Sequence, residues 1–148
     1  MSYKITDNRS AVRSQLRAAC RRALVSIGEA IVANAKAICP VGTPESTGKP
    51  GYVGGTLRDS ITSEVSGGGL TWPSLRVGSA VEYAPYVELG TGPYFEPPPE
   101  WEKFTSVKGS GVGTGYVTAR PFLRPAVEDH KDEYKTMAET ELKSDLTL

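Results

Sequence analysis

The strongest pattern in the chain is a helical one near its N-terminus. From about residue 8 to residue 38, apolar or small side chains recur every three or four positions, which places them on one face of a helix. The helix is expected to end before Pro40, because the residue preceding a proline avoids helical angles. The predicted buried face consists of Val12, Leu16, Ala19, Ala23, Ile27, Ile31, Asn34 and Ile38.

After residue 60 the helical period ends, and apolar and polar residues alternate along the chain. Ile61 and Val65 fall on the same side of a predicted strand, and a glycine-rich turn occupies residues 66–69. In the strand that returns, Leu75 and Val77 share the core-facing side. The pattern therefore predicts an antiparallel β-hairpin.

The next elements carry weaker signals. Residues 81–90 fit a short helix better than a third strand, with Gly90 as its C-terminal stop. Residues 116–122 are typical of another strand, and residues 123–146 predict a C-terminal helix with Pro125 in its first turn. The positions predicted to lie mainly in the core are Leu57, Ile61, Val77, Tyr83, Val87, Phe122 and Leu123, with Tyr83 alternatively placing its hydroxyl at a subunit boundary.

Two long stretches have the composition of loops, residues 40–55 and residues 91–118, and both are rich in proline and glycine.

The fold class that follows from these elements is α+β. We expect a long N-terminal helix and a C-terminal helix packed on a small antiparallel sheet, all within one domain that spans residues 1–148.

Charge is distributed unevenly although the formal net charge is zero. Residues 1–49 hold eight basic and three acidic side chains, whereas residues 122–148 hold four basic and seven acidic ones. One stripe of the first helix is basic, and three explanations for it stay open: it contacts the acidic C-terminal helix of the same or the next subunit, it is solvated, or it faces DNA. This basic stripe consists of Arg9, Arg13, Arg17 and Arg21.

The candidate motifs for phosphate, dinucleotide and metal binding each lack a required residue or spacing. The segment GSGVGTG at residues 109–115 lacks the lysine of a phosphate-binding loop and the spacing of a dinucleotide fingerprint. Cys20, Cys39 and His130 do not have the spacing of metal ligands, and the two cysteines are expected to be reduced, which fits folding in a cytosolic compartment. We therefore expect no enzyme activity and no cofactor.

Three fragments together resemble a known family. They are GGTLRDSI at Gly54–Ile61, VGSAVEYAPYVELGTG at Val77–Gly92 and ARPFLRPAV at Ala119–Val127. In this order they resemble the tail-completion, or head–tail joining, family of long-tailed phages, which includes minor tail protein Z-like and gene-10-like proteins. Residues 42–53 and 93–115 enlarge two loops relative to the family pattern.

The resemblance implies a non-enzymatic structural protein of the virion, placed at the neck or tail top. It implies a ring of copies, sixfold by the symmetry of tails, that completes the tail and joins it to the head. The implied partners are the tail terminator or tail tube, the head-completion or adaptor proteins, and genomic DNA passing through the channel. A membrane is not among them.

The matched charged residues suggest one contact. Glu88 is expected to pair with Arg58 or Arg120 and so to tie the three fragments together, unless all three side chains are separately solvated. These residues are also candidates for a subunit or partner interface.

The segment after Gly90 suggests an arm that binds another protein, because its prolines restrict the chain before docking. Aromatic side chains are enriched at interfaces. The aromatic side chains of this segment are Tyr94, Phe95, Trp101 and Phe104. The alternative is that these four side chains fold back on their own domain.

A second function from another class also fits the sequence. The basic stripe could serve a small DNA-binding accessory protein of phage DNA packaging. Binding through phosphates would depend strongly on salt, so a salt-titrated duplex-binding assay separates the two functions.

Overall fold

The computed structural model describes residues 7–48, 50–51, 53–91 and 117–145. Within these residues the fold is α+β, as the sequence predicts. The elements in chain order are α1 (Arg9–Ile38), α2 (Pro44–Thr47), α3 (Thr56–Asp59), β1 (Ile61–Ser66), β2 (Ser74–Ser79), α4 (Ala84–Leu89), α5 (Leu123–Glu128) and α6 (Lys131–Asp145).

The hairpin lies along α1. Strands β1 and β2 pair antiparallel, from Ile61 opposite Ser79 at the base to Ser66 opposite Ser74 next to the turn. Gly28 of α1 faces the two strands at close range. A Cβ atom at this position would lie 2.8 Å from Leu75 Cδ1 and 3.1 Å from Ser63 Cβ. The absence of a side chain at Gly28 therefore sets how closely α1 approaches the hairpin.

The C-terminal helices are joined to α1 by a buried tyrosine. The Tyr134 hydroxyl donates to the Ala126 carbonyl oxygen at 2.7 Å and accepts from Asn34 Nδ2 at 2.8 Å. One side chain of α6 thus links α5 to the C-terminal half of α1. This contact explains why Asn34 can stand on the otherwise apolar face of α1.

The core lies at the C-terminal end of α1, where the helix, the base of the hairpin, α4 and α5 meet. Phe122 and Ile61 are its largest fully buried side chains. The cluster consists of Ala35, Cys39, Leu57, Ile61, Ala84, Phe122 and Ala126. Burial of this apolar surface is the main favourable term available to the fold.

Several sequence predictions are confirmed. The long helix, the hairpin and the short helix before Gly90 are all present, and Gly90 has a φ of 72°, which favours glycine. Pro125 lies in the first turn of α5. Of the predicted core, Leu57, Ile61 and Phe122 are buried, and Val77, Val87 and Leu123 are partly buried against the core cluster.

Other predictions are wrong. The described part of the predicted strand 116–122 forms no strand, because its backbone bonds to α4 instead, with Arg120 N–H donating to Val87 O at 2.8 Å. The C-terminal helix is two helices, separated at residues 129–130. Tyr83 is 45% exposed and therefore is not a core residue. The predicted loop 40–55 contains α2, whose start is capped by Thr43 and Ser46.

Candidate subunit and partner interface

The long loop that was predicted to be an arm has a closed base. Thr91 N–H donates to Val117 O at 2.8 Å, and Val117 N–H donates to Thr91 Oγ1 at 2.8 Å. The two points at which residues 92–116 leave and rejoin the described chain are therefore adjacent. The four aromatic residues of the predicted arm, Tyr94, Phe95, Trp101 and Phe104, lie outside the described residues, so their role stays a prediction.

Just before this base, the Glu88 carboxylate caps the start of α5. Oε2 accepts from Phe122 N–H at 2.7 Å and from Leu123 N–H at 2.9 Å, and Oε1 accepts from Arg124 N–H at 3.0 Å. A helix start leaves four backbone N–H groups without an intrahelical partner. Here the fourth position is Pro125, which has no N–H. Glu88 therefore accepts from the first three N–H groups at the start of α5, and the fourth position needs no acceptor because it is Pro125.

This geometry corrects the predicted ion pair of Glu88. No salt bridge joins Glu88 to Arg58 or Arg120 among the described residues, and Arg58 Nε instead contacts Asp59 Oδ1 at 3.0 Å. The carboxylate is drawn to the helix start because three converging N–H groups and the positive end of the helix dipole lie there. Glu88 does tie two of the three resembling fragments together, but through backbone donors.

A sequence signal for this cap existed and was missed. Phe122 occupies the N-cap position of α5 and makes no side-chain cap hydrogen bond. A helix that begins without a local Ser, Thr, Asp or Asn cap leaves its first N–H groups to water or to an acceptor from elsewhere in the chain. Glu88, at the end of the preceding helix, is a carboxylate that could supply it.

The basic stripe supports the hairpin turn. Arg17 Nη1 donates to Gly69 O at 2.6 Å, and Arg21 Nη1 donates to Gly67 O at 2.9 Å. The Arg17 guanidinium also lies 5.5 Å from the centre of the Trp72 ring, a cation–π distance. None of the three explanations given for the stripe included this role.

The remaining members of the stripe are near the start of α1. Arg9 forms an ion pair with Asp7 at 2.7 Å, and the hydrogen bonds from Arg9 hold the pKa of Asp7 below its ordinary value. The salt bridges of the described residues join none of the four arginines to α6. Contact with a neighbouring subunit or with DNA remains a prediction, for which Arg13 is exposed on α1.

The hairpin tip, defined as residues 66–73, exposes apolar side chains from an ordered turn. Leu70 is 94% exposed and Trp72 is 57% exposed. The turn is closed by Gly68 N–H, which donates to Thr71 O at 3.1 Å. Gly67 and Gly68 adopt φ values of 81° and 107°, which residues with a side chain rarely adopt.

A cleft opens at the other end of the hairpin. Its volume is about 410 Å³. The cleft is lined by residues just after α1, in α3, at and in α4, and in the segment that follows the long loop, including Pro40, Leu57, Tyr83, Val87, Val117 and Arg120. The buried Cys39 lies beside Pro40, and burial raises the pKa of its thiol, so Cys39 is not an activated nucleophile at neutral pH.

The described ranges contain no group of three or more His, Cys, Asp or Glu side chains arranged to hold a metal ion. In the same residues, no helix combines the length and apolar character that a membrane crossing requires. The prominent features of the described surface are the capped base of the long loop, the hairpin tip and the cleft.

Comparison with known proteins gives one match. No curated protein and no solved structure matches the chain. A family model described as "Bacteriophage HK97-gp10, putative tail-component" matches residues 4–90, which is more than half of the sequence and includes two of the three fragments noted above almost completely. The chain belongs to the HK97-gp10-like family of bacteriophage tail components, and its place is in the virion.

Proposed function

We propose that this tail component forms a ring at the neck of the virion, where it completes the tail and joins it to the head. The ring would be assembled in the host cytoplasm, and the chain would act without enzyme activity. The proposal rests on membership of the tail-component family, because such a protein works by contact with other virion proteins.

The surface supports assembly as the mode of action. Exposed apolar side chains occur at the hairpin tip and around the cleft, where Tyr83 is 45% and Val117 is 42% exposed. A ring requires a heterologous contact, in which two different patches of neighbouring copies meet. A standard interface buries roughly 800 Å² per partner.

Residues of the long loop are proposed to bind a neighbouring virion protein or subunit through Tyr94, Phe95, Trp101 and Phe104. Because Thr91 and Val117 are hydrogen-bonded neighbours, a two-residue Asn-Gly link can replace residues 92–116 without separating them. We expect the shortened chain to keep its helical circular dichroism and to lose no more than about 1 kcal/mol of unfolding free energy. Its self-association or its joining of heads to tails should be weakened.

A matched deletion separates the aromatic residues from loop length. Removing residues 105–115 alone shortens the loop and keeps all four aromatic side chains, so assembly should persist. Loss of folding in the Asn-Gly variant, or equal assembly by both deletions, would count against the arm.

Duplex DNA binding by the basic stripe is the weaker candidate. Arg17 and Arg21 already donate to hairpin carbonyls, and Arg9 is paired with Asp7. The formal net charge of zero adds no general attraction to phosphates. Tight binding of a short duplex by the purified protein at physiological salt would reverse this ranking.

The mass of the protein in solution tests the proposed ring. The purified chain is measured by native mass spectrometry and light scattering over a range of concentrations, alone and with the tail-tube terminator of the same phage. A closed ring, alone or on the terminator, supports the proposal. A chain that stays monomeric in both conditions contradicts it.

A further inference from the structure

We infer that the hairpin tip of one copy docks into the cleft of the next copy, and that this contact is the repeating one in the ring. The inference rests on the proposed function, since it names the two patches through which copies of the chain would meet. The tip is residues 66–73, and the cleft is the one lined by Pro40, Leu57, Tyr83 and Val87.

The tip has the features of an interface anchor. Leu70 is almost completely exposed, although the turn that carries it is held in place by Arg17 and Arg21. An ordered turn that keeps apolar surface in water gains nothing within its own chain. Trp and Arg are enriched among residues that dominate binding energy, and Trp72 lies within cation–π distance of Arg17 at this tip.

The cleft is suited to receive such an anchor. Its volume of about 410 Å³ lies within the range of about 300–1,000 Å³ that is usual for binding pockets. Leu57, Val87 and Val117 provide apolar lining, and the half-exposed Tyr83 also lines the cleft. Water held against these apolar side chains would be released when an apolar side chain enters.

A chain cannot place its own tip in its own cleft. The hairpin runs from Ile61 opposite Ser79, near the cleft, to Ser66 opposite Ser74, at the tip. Strands of this length span about 17–20 Å. Along α1, the segment from Arg21 at the tip to Ile38 at the cleft end rises about 25 Å. The two patches therefore face opposite ends of the molecule, as head-to-tail association requires.

Charge complementarity favours a second copy as the occupant. The tip end, residues 7–22 and 64–76, carries six basic and two acidic side chains. The cleft end, residues 36–42, 57–59, 82–88 and 120–133, carries five basic and seven acidic ones. The C-terminal half of α1 and the Tyr134 contact place the acidic α5–α6 junction at this same end. A basic end that approaches an acidic end is attracted in the orientation that brings tip to cleft.

The test uses two variants of the full chain, each lacking one patch. Leu70→Ser with Trp72→Ser removes the tip anchor, and Tyr83→Asp places a charge in the lining of the cleft. All three side chains are substantially exposed, so circular dichroism should be unchanged. Each variant should associate at least about tenfold more weakly than the wild type. Val25→Ser, at another exposed apolar position of α1, is the matched control and should associate normally.

Mixing the two variants is the decisive step. One intact tip and one intact cleft remain in the mixture, so tip and cleft variants should form a 1:1 complex that does not grow further. A third sample, Leu70→Cys with Tyr83→Cys and with Cys20 and Cys39 replaced by Ser, should give cross-linked ladders on mild oxidation.

The possible failures are distinguishable. A ring that persists in the tip variant overturns the docking but leaves the proposed ring standing. Cross-linking that appears only when residues 92–116 are deleted shows that the chain's own loop fills the cleft, and this also overturns the docking. If the wild type is monomeric alone and on the terminator, both the ring and the docking are wrong. Mixed variants that remain monomeric beside an associating wild type overturn the pairing of these two patches.

Discussion

Replacing Glu88 with alanine is expected to destabilise the fold by about 2–4 kcal/mol, because three backbone N–H groups at the start of α5 lose their acceptor. Domains of this size are stable by only about 5–15 kcal/mol, so the loss is a substantial fraction of the total. The melting temperature should fall by about 4–16 °C. Urea unfolding followed by circular dichroism measures the change in free energy.

Two companion variants identify the cause. Glu88→Gln keeps one carbonyl oxygen and loses the charge, so its effect should be smaller, about 1–2 kcal/mol. Glu82→Gln, at an exposed position just before α4, is the control and should be neutral. If Glu88→Ala unfolds within about 0.5 kcal/mol of the wild type, the capping role assigned to Glu88 is wrong.

Replacing Gly28 with leucine should cost about 3 kcal/mol or more, because the side chain would have to enter the contact between α1 and the hairpin. Leu75 Cδ1 and Ser63 Cβ already lie 2.8 and 3.1 Å from the position of an added Cβ. Gly28→Ala should change stability by no more than about 1 kcal/mol, since the better helix propensity of alanine offsets a small shift of the flexible Leu75 side chain. Chemical denaturation measures both variants.

The control for this series introduces the same residue one position along the helix. Glu29→Leu adds a leucine to an exposed position of α1 and should be close to neutral. Equal stabilities for Gly28→Leu and Glu29→Leu are incompatible with a close contact between α1 and the hairpin at Gly28. A loosened hairpin should also weaken self-association, because β1 and β2 carry the tip.

The periodic parts of the fold could be predicted from the sequence. The period of α1, the alternation in β1 and β2, and Gly90 after α4 are local signals, and each is confirmed. The break at residues 129–130 was missed because the apolar positions Val127 and Tyr134, seven residues apart, continue a helical spacing across it. The strand predicted at residues 116–122 was wrong in its described part, because the backbone of Arg120 hydrogen-bonds to α4 rather than to another strand.

The candidate site was harder to predict because its contacts join distant parts of the chain. Glu88 was recognised as important, but an ion pair was expected where backbone N–H groups bind it. Likewise, the spacing of the arginines identified a stripe, but its acceptors, the carbonyls of Gly67 and Gly69, carry no sequence signal. Backbone groups exist at every residue, so only the fold reveals which of them a charged side chain meets.

Particles made by the phage without this protein test the central claim most directly. If the chain joins tails to heads by assembly, electron microscopy should show filled heads and separate tails, and adding the purified wild-type protein to the extract should restore joined, infectious particles. The Asn-Gly loop variant and the Leu70→Ser, Trp72→Ser variant should restore far fewer. Joined and infectious virions in the absence of the protein would contradict the account.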